Sequence, residues 1–174
     1  MTYREAPVLE TKRLVLRPYR LEDFDLLAAY FASERSRFTD GPVTRAQAWD
    51  LFTAGAGRWV IAGHGAWTIT PKGSDTSMGL VSLNTPIVLP HPELGYILWD
   101  GFEGQGFALE AASAARDFAF SRLEWPVLIS GIHKDNDRSV RLAERMGAAL
   151  DPSIHLAEEP DTLFYRHPRP PADA

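Results

Sequence analysis

The sequence predicts a mixed α/β domain built on a central sheet. Three observations predict it. Two N-terminal segments carry apolar residues at helical spacing. A meander of strand-like runs follows. The second half of the chain then alternates strand, helix, strand, helix, strand. At 174 residues the chain suits one domain, 1–174, with a core over about 8–168. There is no internal repeat and no linker.

Each element has its own signal. Residues 13–19 alternate, Leu14 and Leu16 against Arg13, Val15 and Arg17, and read as a strand ended by Pro18. Residues 21–32 place Leu21, Phe24, Leu27, Ala28 and Phe31 at helical spacing. Glu22, Asp23 and Asp25 lie in the first turn, where the helix dipole favours negative charge. Residues 33–43 are polar and turn-rich, with Gly41-Pro42. Thr44 is the expected N-cap of a second helix over roughly 45–53, with Ala48, Trp49 and Phe52 on one side; Gly55 and Gly57 are expected to stop it. Residues 66–70 and 78–84 read as hairpin strands around a turn at 71–76, and Pro86, Pro90 and Pro92 mark a loop. A strand over 93–99 leads into a turn with Gly101, Gly104 and Gly106, then a helix from Phe107 to about Leu123. Pro126 precedes a buried strand, 127–131. A short helix over 136–147 has Val140, Ala143 and Met146 in period and Gly147 as its stop. Residues 148–155 and 162–167 are expected closing strands, and the proline-rich tail 166–174 is expected to fray beyond Pro168.

Composition excludes several function classes. A net charge of −5 argues against a broad nucleic-acid or anionic-membrane surface. The absence of cysteine excludes disulfides, thiolate catalysis, cysteine-based zinc sites and iron–sulfur clusters. No run approaches the ~18 apolar residues of a membrane span, and residues 1–10 lack an apolar signal region. A cytoplasmic protein is the simplest expectation. His64, His91, His133, His155 and His167 are scattered without metal-ligand spacing, so no metal is expected.

The chemistry concentrates at residues 93–110. Strand, glycine turn and helix start together form a recipe for holding an anion. Glycines let the backbone bend close to a ligand, and the first-turn N–H groups and helix dipole favour negative charge. The plainer alternative is a strand-to-helix turn that needs glycine for its backbone angles. The turn is not a Walker loop, since no Gly-Lys-Ser/Thr occurs, and it does not sit where a dinucleotide fingerprint opens a parallel unit. Ala108, Ala111, Ala112, Ala115, Phe118 and Ala119 form a mostly small-residue face that lets the helix lie close on a sheet. Asn136 or Asp137 reads either as a helix N-cap or as part of a site at the carboxyl end of a buried strand.

Several motifs in order carry a family resemblance. They are Glu93-Leu-Gly-Tyr96, then Glu-Gly-Gln-Gly-Phe-Ala-Leu-Glu-Ala over 103–111, Asp117-Phe-Ala-Phe120, Asn136-x-x-Ser139 and Arg145-Met-Gly147. Together they resemble the GNAT N-acetyltransferases. The opening at 9–18 and Leu21-Glu-Asp-Phe look like the RimJ/RimL branch, which acetylates protein N-termini and other amines. The resemblance spans about 8–168. It implies a mostly antiparallel sheet flanked by helices, whose fourth and fifth strands, 93–99 and 127–133, splay into a V that holds acetyl-CoA. Ile97, Leu98 and Trp99 would pair with the pantetheine through their backbones. Glu103, Gly104, Gln105, Gly106, Phe107 and Ala108 would seat the pyrophosphate, and Asn136 and Ser139 would reach the pantetheine arm and thiol. One position departs from the family: Glu103 stands where Arg or Gln is usual, and its carboxylate repels a pyrophosphate unless it turns to solvent.

The resemblance implies direct acetyl transfer to a primary amine, either a protein N-terminus or a small molecule. Glu93 is the candidate base, with burial raising its pKa, or else an ion-pairing or loop-capping residue. Ser139 is the candidate acid for the leaving thiolate. A backbone N–H around Ile97 or Leu98 is the candidate oxyanion donor. Phe38 and Tyr96, with Trp49 and Trp67, are candidate acceptor-pocket aromatics, or core. His133 faces either the cleft or the surface. The loop 33–43, with Arg35, Arg37 and Asp40, would overhang the acceptor. A homodimer is expected from the family. The alternative function is a degenerate domain that binds acetyl-CoA or a partner without catalysis.

Overall fold

Eight strands form one sheet: β1 (Leu9–Glu10), β2 (Leu14–Arg17), β3 (Ala66–Pro71), β4 (Gly79–Asn84), β5 (Glu93–Leu98), β6 (Ile129–His133), β7 (Ala149–Leu150) and β8 (Thr162–Arg166), in the order β1-β2-β3-β4-β5-β6-β8-β7. Every neighbouring pair is antiparallel except β5–β6. The structure is a computed structural model and describes residues 5–171. The expectations for residues 1–4 and for 172–174 of the tail lie outside the described residues.

Helices cover both faces. α1 (Phe24–Phe31) follows a 3₁₀ turn, η1 (Leu21–Asp23); a second 3₁₀ turn, η2 (Glu34–Phe38), leads toward α2 (Arg45–Ala62). Phe24, Leu27, Phe31, Ala48 and Phe52 pack with Leu80 and Trp99 on one face. α3 (Phe107–Ser121) lies on the other face and presents Ala111, Ala112, Ala115 and Ala119, all fully buried. Trp67, Ile69, Val81 and Leu94 meet it from the sheet. α4 (Asp137–Arg145) packs Ala143 against Ile132 of β6.

Several boundaries differ from the sequence expectation. α2 does not stop at Gly55 but runs to Ala62, ended by Gly63 with φ 74°. Glycine inside a helix costs only about 1 kcal/mol, and the downstream turn is anchored by buried Trp59, whose Nε1–H donates to Ala66 O at 2.9 Å. Gly55 itself lets the Tyr19 ring approach: a Cβ there would lie 3.2 Å from it. Thr44 caps α2 as expected, accepting from the Gln47 N–H at 3.3 Å. The expected strand 148–155 shrinks to two residues, because Asp151 turns the chain by accepting from Ser153 and Arg166. β1 is too short to have a readable period, and it makes the splayed strands fifth and sixth rather than fourth and fifth. The tail is held beyond Pro168: Arg169 donates to Trp125 O at 3.0 Å and stacks on Phe120.

One buried ion pair ties β2 to the first turn. Arg17 grips Asp23 with both terminal nitrogens, at 2.7 and 2.8 Å. Asp23 also accepts from Thr68 at 2.8 Å and from the Arg20 N–H. Burial alone raises the Asp23 pKa; these hydrogen bonds more than reverse that and hold it below its ordinary value. Asp23→Ala strands a buried guanidinium and is expected to cost about 3–5 kcal/mol in urea unfolding at pH 7. A depressed carboxylate contributes stability that is full above the unfolded pKa, about 4, and is lost as pH falls toward the folded value. The acid limb of the variant's stability curve should therefore be shallower than wild type.

Candidate active site

The site follows from where β5 and β6 part. They share the single register pair Glu93↔Ile129 and diverge beyond it. Along β5, backbone groups alternate between its two edges. The Trp99 N–H donates to Met78 O at 2.9 Å, toward β4. Ile97 shares that orientation, and a Cβ on Gly79 would collide with its carbonyl oxygen. Leu94, Tyr96 and Leu98 therefore turn their backbone groups into the gap. The Leu94 carbonyl accepts from Ser130 Oγ at 2.7 Å, and the Leu98 carbonyl accepts from Arg35 at 3.2 Å. Ser130 gives its one proton to Leu94, so His167 Nε2–H is the donor in the 2.9 Å contact between them. Burial pushes His167 down to about 4, consistent with a neutral ring.

The gap opens into a cavity of about 1160 Å³. Its far end is the glycine turn. Gly101, Gly104 and Gly106 all hold positive φ, 87°, 76° and 80°, which side chains with a Cβ rarely adopt. Gly106 caps α3 without a side-chain acceptor, so the N–H groups of Phe107, Ala108 and Leu109 remain free of helical partners. The one acidic residue in the first turn of α3, Glu110, is bound to Thr11 and Arg13 at 2.6 Å each. Arg138, Arg141 and Arg145 of α4 line the same region at one-face spacing.

Tyr96 packs toward α3 and α4, where its Oη lies 2.9 Å from Ser139 Oγ and donates to the Ser139 carbonyl at 3.2 Å. Burial pushes the Tyr96 hydroxyl up to about 12, opposed by that contact. Asn136 caps α4, its Oδ1 accepting from the Ser139 N–H at 3.3 Å. On the opposite face Phe38 stands 5.0 Å from the His133 ring. Glu93 lies there too, its carboxylate accepting from the Gly131 N–H at 3.1 Å. Gly131 makes room for it, since a Cβ would lie 2.9 Å from Glu93 Oε1. Burial pushes Glu93 up to about 7; the Gly131 bond lowers it, and Asp40 and Glu159 raise it further.

A parted strand pair, inward backbone groups and a free helix start describe a cleft for an elongated ligand with an anionic end. The comparisons agree. The model of the acetyltransferase (GNAT) domain matches residues 13–149. This chain belongs to the GNAT acetyltransferase family. It is similar to the crystal structure of an acetyltransferase from Agrobacterium tumefaciens str. C58, with 37% identity and a TM-score of 0.90 over 97% of this chain and 98% of that one. The RimL ribosomal L7/L12 alpha-N-protein acetyltransferase, solved in complex with coenzyme A, shares the fold with a TM-score of 0.74 at 17% identity, over 94% of this chain and 98% of that one. An uncharacterized Bacillus subtilis (strain 168) protein, YkkB, is 30% identical over 74 residues, which span 42% of this chain and 43% of that protein. GNAT membership makes the chain an acyl-CoA-dependent acetyltransferase.

Within this GNAT cleft the expected residues separate. Leu98, Glu103, Gly104, Gly106, Ala108, Asn136, Ser139, Phe38 and Tyr96 line the cavity. Ile97 lines it only by side chain. The backbone groups of Ile97 and Trp99 point at β4, whereas those of Tyr96 and Leu98 point into the gap. Gln105 and Phe107 stand outside the lining, Gln105 folding back on Gly101 O at 3.3 Å and Phe107 under the Arg13 guanidinium. Phe38 and Tyr96 line the cavity from opposite sides, Phe38 beside His133 and Tyr96 against Ser139. Trp67 is core and Trp49 packs edge-on to Phe24, so neither reaches the cleft. Glu103 does not turn to solvent but pairs with Arg35. Sequence reasoning missed Ser130, His167 and the α4 arginines; the spacing 138, 141, 145 on a helix was the available signal for the last. Among the described residues no group of ligands fits a metal ion, and no helix is long and apolar enough to cross a membrane.

Ser130→Ala leaves the Leu94 carbonyl buried without its partner. We expect a loss of about 1–3 kcal/mol in chemical unfolding, measured at pH 7.

Proposed function

We propose that this GNAT domain moves the acetyl group of acetyl-CoA directly to a primary amine, with Glu93 as general base and Ser139 as general acid. The carrying observation is Glu93: a half-buried carboxylate held on the N–H of Gly131, which lines the cavity, its pKa pushed up to about 7 by desolvation. A general base works best when its pKa lies near the working pH.

The inward N–H groups of Tyr96 and Leu98 face the place of the thioester carbonyl and stabilise the charge that develops on its oxygen. The amine nitrogen bonds to the carbonyl carbon, and its proton passes to Glu93 directly or through a water. The carbon–sulfur bond breaks, and the thiolate takes the hydroxyl proton of Ser139, which Ser139 regains from solvent water; its Oγ lies 2.9 Å from Tyr96 Oη. The free N–H groups at the start of α3 and the arginines of α4 receive the diphosphate end.

The acceptor class is a protein N-terminus or a small amine. RimL, by its printed description, acts on a ribosomal protein, and the RimJ/RimL-like opening of this chain supports the first. A cytoplasmic homodimer is the working picture. The assay is acetyl transfer with free-thiol detection over peptides, polyamines and aminoglycosides. Binding of acetyl-CoA without transfer to any of them would favour a non-catalytic binding module.

Glu93→Gln is expected to lower kcat/KM by about 10²-fold and to remove the rise of the wild-type profile through pH about 7. An unchanged pH–rate profile would take Glu93 out of the mechanism. Stability moves the other way. A raised carboxylate pKa contributes stability that is full below the unfolded value and lost as pH rises through the folded one. Glu93→Gln should therefore gain on wild type between pH 4.5 and about 7.

A further inference from the structure

The turn of this chain carries a carboxylate at its first place, where the family it belongs to usually carries Arg or Gln. Glu103 accepts the Gly101 N–H at 3.0 Å and is paired with the guanidinium of Arg35; Arg138 stands 4.0 Å away. Arg35 comes from η2, a segment 68 residues earlier that walls the acceptor side with Phe38. Its Nη2 also donates to the Leu98 carbonyl at 3.2 Å, and its Nη1 lies 3.8 Å from Asp100. Arg35 thus spans from the last inward carbonyl of β5 to the first residue of the turn.

That is the junction of the proposed cofactor path, where the pantetheine arm on β5 meets the diphosphate on the turn. A bare carboxylate there would repel the diphosphate, and repulsion grows as the cleft fills and water leaves. An arginine already seated on the carboxylate removes the repulsion.

We infer that Arg35 is the cofactor-positioning cation of this enzyme, delivered from the acceptor-side segment in place of a cation in the turn. It acts by neutralising Glu103, which would otherwise repel the diphosphate. Because Arg35 and Phe38 share η2, seating the cofactor fixes one wall of the acceptor site. The inference rests on the acetyl-CoA reading above.

A double-mutant cycle tests it. Wild type, Arg35→Ala, Glu103→Gln and the double variant are titrated with CoA by calorimetry, at constant ionic strength, with thermal melts on all four. Arg35→Ala is expected to weaken CoA about tenfold, the scale of one like-charge repulsion between the uncovered Glu103 and the diphosphate. Glu103→Gln alone should hold or tighten binding, and the double variant should bind within about threefold of Glu103→Gln. Arg35→Lys, which keeps the charge, should recover most of the loss in the wild-type background. An equal loss from Arg35→Ala in both backgrounds overturns the inference. If Arg35→Ala melts early, Arg35→Gln takes its place in the cycle with the same criterion. A wild-type chain that binds no CoA sinks the acetyl-CoA reading itself, whereas additivity in a chain that binds CoA sinks only the role of Arg35.

Discussion

β5 and β6 cannot part without leaving main-chain groups of both strands unpaired, and a buried unpaired carbonyl or amide is costly. The whole site is an answer to that constraint. At the apex the Leu94 carbonyl takes Ser130 Oγ, and His167 keeps that hydroxyl in place. One step along, Tyr96 offers its amide to the gap. At the open end the Leu98 carbonyl takes Arg35. The groups that a continued sheet would have consumed become the groups that a bound thioester can use. Gly131 contributes by omission, since its missing Cβ is the space in which the Glu93 carboxylate rests.

Carboxylates in this chain show how environment divides labour among identical groups. Asp23 is buried but bound by Arg17 and Thr68, so it stays ionised and ties elements together. Glu110 is bound by Thr11 and Arg13, which keeps its charge off the start of α3 despite its place in the first turn. Glu93 is largely desolvated with one backbone donor and no paired cation among the described residues, so it alone among these three is pushed toward neutrality. Glu103 depends on a partner from another segment.

Much of the fold was legible. Alternation marked β2, helical spacing marked α1 and α3, and three glycines marked the turn because positive φ demands them. The motif order then placed the cleft. What sequence missed was set by distance in space. The length of α2 depended on Trp59 reaching Ala66 and Tyr19 needing Gly55, and both contacts outweigh a local stop signal. Which β5 residues face the gap depended on which of them pair with β4, a register that periodicity does not report. Arg35 looked like one more charge in a polar loop until the chain brought it to Glu103. Ser130 and His167 are ordinary residue types in ordinary strands, and only the splay makes them matter.

His167 is also nearly the end of the described chain, and it closes the apex from the last segment to join the sheet. β8 threads beside β6 just before it. During synthesis, which runs from the N-terminus, the glycine turn and α3 can assemble long before the cleft that uses them. A nascent chain shorter than residue 167 has a cofactor turn but no braced apex. The brace at the apex, His167 on Ser130 on the Leu94 carbonyl, thus waits on a segment made well after the strand it steadies.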